Sequence, residues 1–99
     1  MTDYTAFHSS IQSEDQPDSS LRIELQALWL ERAGDWDGAH DLCNEMEGKN
    51  GDWIHAYLHR VEGDQWNAEY WYTRAQQKMP SHLTLEEEWE ALVKHFLNL

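Results

Sequence analysis

The feature that most constrains this chain is a short motif that occurs twice, 29 residues apart. Gly34 in the first copy corresponds to Gly63 in the second, and each glycine is followed directly by aspartate. An alanine lies seven residues before each glycine and another lies five residues after it. The alanines are Ala27 and Ala56 before the glycines, and Ala39 and Ala68 after them. Because glycine ends helices, aspartate caps them and alanine allows helices to approach closely, the motif predicts two helical hairpins in tandem.

Apolar residues at three- and four-residue spacing predict five helices and no strand. The first predicted helix runs from Leu21 to Gly34, and Asp35 caps the second. A turn at Gly48–Gly51 precedes the third helix, which Asp52 caps and which ends at Gly63. Asp64 caps the fourth helix, and the fifth opens with the capping-box pair Thr84 and Glu87. Three consecutive glutamates, Glu86 to Glu88, are predicted to form a solvated first turn of the last helix, which the helix dipole favours.

Residues 1–19 are predicted to be a polar N-terminal arm, extended or partly ordered, before a single helical-repeat domain at 20–99. Serines, aspartates and Pro17 interrupt any helical period in this segment. Tyr4, Phe7 and Ile11 nevertheless have the spacing to dock onto the helical body.

The charge of the chain restricts its partners. Nineteen acidic residues against seven basic ones give a formal net charge of −12. Such a surface repels phosphate backbones and anionic lipid headgroups, so we expect no nucleic-acid partner and no membrane partner. A basic protein patch is compatible with it, and so is a homo-dimer that covers the open end of a short stack.

Cysteine usage and the absence of long apolar runs indicate a cytoplasmic protein. Cys43 is the one cysteine, which excludes an internal disulfide, and its place on the apolar side of its helix favours an inert buried thiol. The opening residues lack the basic and apolar regions of a secretory signal, and no stretch approaches the roughly 18 apolar residues of a membrane span.

The second unit resembles a tetratricopeptide repeat. Counted from Gly63, alanine, tyrosine, alanine and proline stand at +5, +9, +12 and +17, where that family has its small, aromatic, small and proline positions. The first unit departs from the pattern, and the 29-residue offset is shorter than the usual ~34. The resemblance implies an all-α fold of two stacked antiparallel hairpins with a C-terminal capping helix. It also implies a concave groove lined by the first helix of each hairpin, with Leu28, Glu31, Trp53 and Tyr57 as candidate groove residues.

The stretch from His55 to Ala75 also resembles a family of small uncharacterised bacterial proteins. This resemblance implies a bacterial, cytoplasmic source, and it implies no activity.

Two histidines in the second unit are candidate functional residues. His55 and His59 are four residues apart on one helical face, the separation at which two imidazoles can share a metal ion. The sequence shows no third ligand at a matching spacing, so no residue is assigned as a metal ligand and no cofactor is assigned to the chain. Three readings stay open: hydrogen bonding to Glu69, Tyr72 or a backbone carbonyl, a pocket for an organic ligand, and a metal site.

Other polar and aromatic side chains of the second unit could converge with these histidines on a ligand. The candidate ligand-binding residues are His55, His59, Arg60, Glu62, Asn67, Tyr70, Trp71 and Arg74. The two arginines could instead form internal ion pairs with Glu62 or Glu69.

No nucleophile and base can be assembled from the sequence, and it has no phosphate-binding glycine loop, so we expect no catalytic residues and no enzyme. The sequence favours a non-enzymatic interaction module that binds a protein or peptide through the groove or an exposed aromatic patch. The alternative is a small-molecule or metal-binding protein that uses a His/Arg/aromatic pocket in the second hairpin.

Overall fold

The computed structural model describes residues 3–99, and this part of the chain is all-α, as the sequence predicts. Its helices are α1 (Tyr4–Ser13), α2 (Ile23–Arg32), α3 (Trp36–Glu45), α4 (Lys49–Val61), α5 (Gln65–Arg74) and α6 (Leu85–Leu97). Within residues 3–99, no helix has the length and apolar character needed to cross a membrane.

The repeated motif produces the same local structure twice. Helix α2 packs mainly against α3, and α4 packs mainly against α5. Gly34 and Gly63 both have positive φ angles, which only glycine adopts without strain. Asp35 and Asp64 each accept a hydrogen bond from a backbone N–H three residues later, so both predicted caps are confirmed.

Helix α4 begins earlier than the sequence predicts. It starts at Lys49, directly after Gly48, whose φ is +86°, so the predicted turn through Gly51 and cap at Asp52 are wrong. Gly51 serves close packing instead, because a Cβ at this position would lie 2.7 Å from the Cβ of Met46. Asp52 lies in the first turn, where a carboxylate is favoured by the helix dipole.

The N-terminal arm contains a helix that belongs to the core, so the prediction of an extended or partly ordered arm is wrong for residues 4–13. Asp3 caps α1 by accepting a hydrogen bond from the N–H of Ala6. Phe7 is buried beside Trp89, and Ser10 accepts a 2.9 Å hydrogen bond from the indole of Trp29. The apolar spacing in the arm is therefore a true helical signal, which its polar residues obscured.

Helix α6 packs against both α2 and α4, the first helices of the two hairpins. Trp89 is completely buried there, and its indole N–H donates a 2.9 Å hydrogen bond to the backbone carbonyl of Leu28. Leu92, Val93 and Phe96 are buried on the same side of α6. The face that would line a tetratricopeptide groove is thus covered by the protein's own C-terminal helix.

Candidate functional site

Three histidines from two helices meet between the hairpins. His40 on α3 approaches His55 on α4, with 2.8 Å between their Nε2 atoms, and His59 lies one turn further along α4. One ring nitrogen from each histidine lies within 4.8 Å of the others. We call His40, His55 and His59 the histidine cluster.

His55 and His59 lie on one face of α4, as their four-residue spacing predicts, and their rings stack with 5.2 Å between centroids. The predicted hydrogen-bond partners, Glu69, Tyr72 or a backbone carbonyl, are wrong. His55 faces His40 instead, and the Nδ1 of His59 lies 2.6 Å from Oε1 of Glu62.

Two tryptophan rings stack on the histidine cluster. Trp71 stacks on His55 with 4.0 Å between ring centroids and an angle of 6° between the ring planes. Trp36 stacks on His40 at 5.0 Å and 16°, and its indole donates a 2.8 Å hydrogen bond to the carbonyl of Leu58. The orientation of both imidazoles is therefore fixed before any ligand binds.

Burial keeps His55 uncharged. Its side chain is only 6% exposed. Burial lowers its pKa to about 4, with smaller contributions from His40, His59 and Arg74. At neutral pH His55 therefore has one ring nitrogen with a free lone pair.

Arg60 belongs to a largely buried network that is separate from the histidine cluster. It donates to Oε1 of Glu88 at 2.8 Å and to the carbonyl of Leu83 at 2.5 Å. The hydroxyl of Tyr72 donates to the other carboxylate oxygen of Glu88. Glu88 is only 2% exposed, so its prediction as part of a solvated turn is wrong, as is the predicted pairing of Arg60 with Glu62 or Glu69.

The other candidate ligand residues divide between capping and surface roles. Asn67 donates from Nδ2 to Asp64 at 3.3 Å, which supports the cap of α5. Arg74 lies 3.7 Å from a carboxylate oxygen of Asp52 and 4.8 Å from the ring centroid of Trp71. Of the eight candidates, the structure brings only His55, His59, Glu62 and Trp71 into the histidine cluster or against it.

Two of the four candidate groove residues do not line an open groove. Leu28 and Tyr57 are buried in the core that α6 helps to form, and the hydroxyl of Tyr57 donates to Glu31 at 2.7 Å. Trp53 packs edge-on against His95 of α6. The prediction of accessible groove residues is therefore wrong for Leu28 and Tyr57, because their own chain covers them.

Helix α5 exposes an aromatic face, and we call Trp66, Glu69, Tyr70 and Thr73 the α5 face. Trp66 is 77% exposed and Tyr70 is 48% exposed, one turn apart. Together with Arg74 they line a shallow cleft of about 330 Å³. The α5 face and the histidine cluster are the two candidate binding sites.

Cys43 is buried, and burial raises its thiol pKa to about 12. A protonated thiol in an apolar setting is a poor nucleophile, which agrees with its predicted inert role.

Comparisons of the chain with protein-family models, with curated proteins and with solved structures found no match.

Proposed function

We propose that this protein is a non-enzymatic interaction module that binds a basic segment of a partner protein through the α5 face. The observation that carries the proposal is the 77% exposure of Trp66. Tryptophan is highly buried on average in folded proteins and is concentrated in the energetic centres of interfaces. An indole left in water on a regular helix therefore supports a binding role.

The chemistry of the face favours a cationic partner. Tryptophan and tyrosine rings attract lysine and arginine through their π faces, and Glu69 lies between the two rings in sequence. Arg74 pairs with Asp52, lies over Trp71 and donates a 3.3 Å hydrogen bond to the hydroxyl of Tyr70, so the ring of Trp66 is the part of the face that a partner's cation contacts. The net charge of −12 adds long-range attraction for a basic partner.

The proposed location of the protein is the cytoplasm, because a lone buried thiol suits a reducing compartment. The bacterial source and the tetratricopeptide relationship also stay predictions. A second candidate, metal binding, is favoured by the histidine cluster.

We expect Trp66→Ala to weaken binding of a short peptide of interspersed arginine and leucine about tenfold, since a central aromatic contact is lost. Titrations of wild type and variant, followed by amide NMR shifts, would measure this affinity and locate the contact. The wild-type shifts should concentrate on α5, and a peptide with glutamate in place of arginine should not bind.

The matched control is Leu85→Ala, which removes another exposed apolar side chain, outside the α5 face. It should bind the basic peptide like wild type. Equal affinity for wild type and Trp66→Ala would overturn the proposal, as would shifts spread evenly over the acidic surface. Light scattering that shows a dimer abolished by Trp66→Ala would assign the face to a second copy of the chain and would equally overturn it.

A further inference from the structure

We propose that the histidine cluster binds one divalent transition-metal ion of the Zn²⁺ class through one ring nitrogen each of His40, His55 and His59. This site is separate from the α5 face, so metal binding and the proposed peptide binding are tested independently. The sequence lacked a visible third ligand for His55 and His59, and the fold supplies it from α3.

The spacing of the ring nitrogens suits a shared ion. Zinc binds histidine nitrogen at about 2.0–2.1 Å, which places neighbouring nitrogens of a tetrahedral site roughly 3.4 Å apart. In the histidine cluster, the Nε2 atoms of His40 and His55 are 2.8 Å apart, and no two of the three donor nitrogens are more than 4.8 Å apart. The separation that a tetrahedral site requires lies between these two values.

The tautomers can accommodate the ion. In the hydrogen bond between His40 and His55, one Nε2 carries a hydrogen and the other accepts it. When an ion binds, the donating ring moves its hydrogen to Nδ1, so that both Nε2 lone pairs face the metal. Both rings stay neutral, and only a change of tautomer is needed.

Glu62 orients the third ligand. Its Oε1 lies 2.6 Å from Nδ1 of His59, which leaves Nε2 of that ring for the metal. A carboxylate that accepts from the outer nitrogen of a ligating histidine fixes the ring and strengthens it as a donor. Trp36 and Trp71 fix His40 and His55 by stacking, so all three ligands have a positioning partner.

The donor set also predicts which ions bind. Imidazole nitrogen suits Zn²⁺, Co²⁺, Ni²⁺ and Cu²⁺, whereas Mg²⁺ and Ca²⁺ require oxygen ligands. Three protein ligands leave the fourth tetrahedral position for water or for a donor from a partner.

We expect chelator-treated protein without a histidine tag to bind one Zn²⁺ per chain in calorimetric titration. Free Zn²⁺ at a hundred times its Kd should raise Tm by about 10 °C, because the ion binds only the folded chain. Mg²⁺ at the same concentration should leave Tm unchanged. Cu²⁺ should quench the tryptophans that stack on the cluster, and Trp71→Phe should reduce that quenching.

The deciding variants are His40→Gln and His59→Gln, each of which should weaken Zn²⁺ binding about a hundredfold or more. Circular dichroism without metal would show that each variant is folded. The control is His82→Gln, an exposed histidine outside the cluster, which should bind Zn²⁺ like wild type. Unchanged one-to-one Zn²⁺ binding in folded His40→Gln, or no saturable binding by wild type, would overturn the proposal.

Discussion

Replacing Trp89 with alanine should lower the free energy of unfolding by about 3–5 kcal/mol. The indole is completely buried where α6 meets the rest of the molecule, and Phe7 of α1 packs against it. The guanidinium of Arg32 lies 4.2 Å from its ring centroid, so a cation–π contact is lost as well. Urea unfolding followed by circular dichroism would measure the change.

The chain contains a matched control for this substitution. Trp66→Ala removes the same side chain from a position that is 77% exposed, and it should change the free energy of unfolding by less than about 0.5 kcal/mol. Because domains have only about 5–15 kcal/mol of stability, the Trp89 variant should lose a large fraction of it. A Trp89→Ala protein as stable as Trp66→Ala would contradict the placement of α6.

Replacing Glu88 with alanine should cost about 3–5 kcal/mol of stability, an effect as large as that of a core aromatic. The carboxylate accepts from both Arg60 and Tyr72, and it is only 2% exposed. Its removal leaves a guanidinium and a hydroxyl without their partner in a poorly solvated site. The neighbouring Glu86, which is exposed, provides the control, and Glu86→Ala should cost about 1 kcal/mol or less.

A compensated variant separates the unpaired charge from the loss of packing. Glu88→Leu combined with Arg60→Leu and Tyr72→Phe removes the polar groups of all three side chains, and it should recover most of the stability lost in Glu88→Ala. Chemical denaturation of the single, double and triple variants would give the coupling free energies. Additive losses across these variants would show that the three side chains do not act together.

The sequence predicted the hairpins because their signals are local. A glycine with positive φ, an aspartate cap and alanines at fixed offsets act within one or two turns, and they recur 29 residues apart. The sequence did not reveal that Phe7 joins the core or that α4 begins at Lys49. In the arm, polar residues obscure a weak apolar period. At the start of α4, Gly51 resembles a turn residue in sequence, although in the structure it allows close packing against Met46.

The two buried polar groupings could not be predicted, because each depends on contacts between distant parts of the chain. His40 precedes His55 by fifteen residues, and Glu88 follows Arg60 by twenty-eight. Helical periodicity shows which residues share a face, as for His55 and His59, but not which face of another helix packs opposite. For the same reason Glu88 was indistinguishable in sequence from its exposed neighbours Glu86 and Glu87.

The position of α6 has a consequence for competition. A helix tethered to the face that it covers is present there at an effective concentration of the order of millimolar or higher. A free peptide that binds the same face has to displace α6 from it. Its apparent Kd therefore equals its intrinsic Kd divided by the fraction of molecules in which α6 has detached. The tether therefore makes the inner face of the hairpins selective against weak ligands, whereas no helix within residues 3–99 covers the rings of the α5 face.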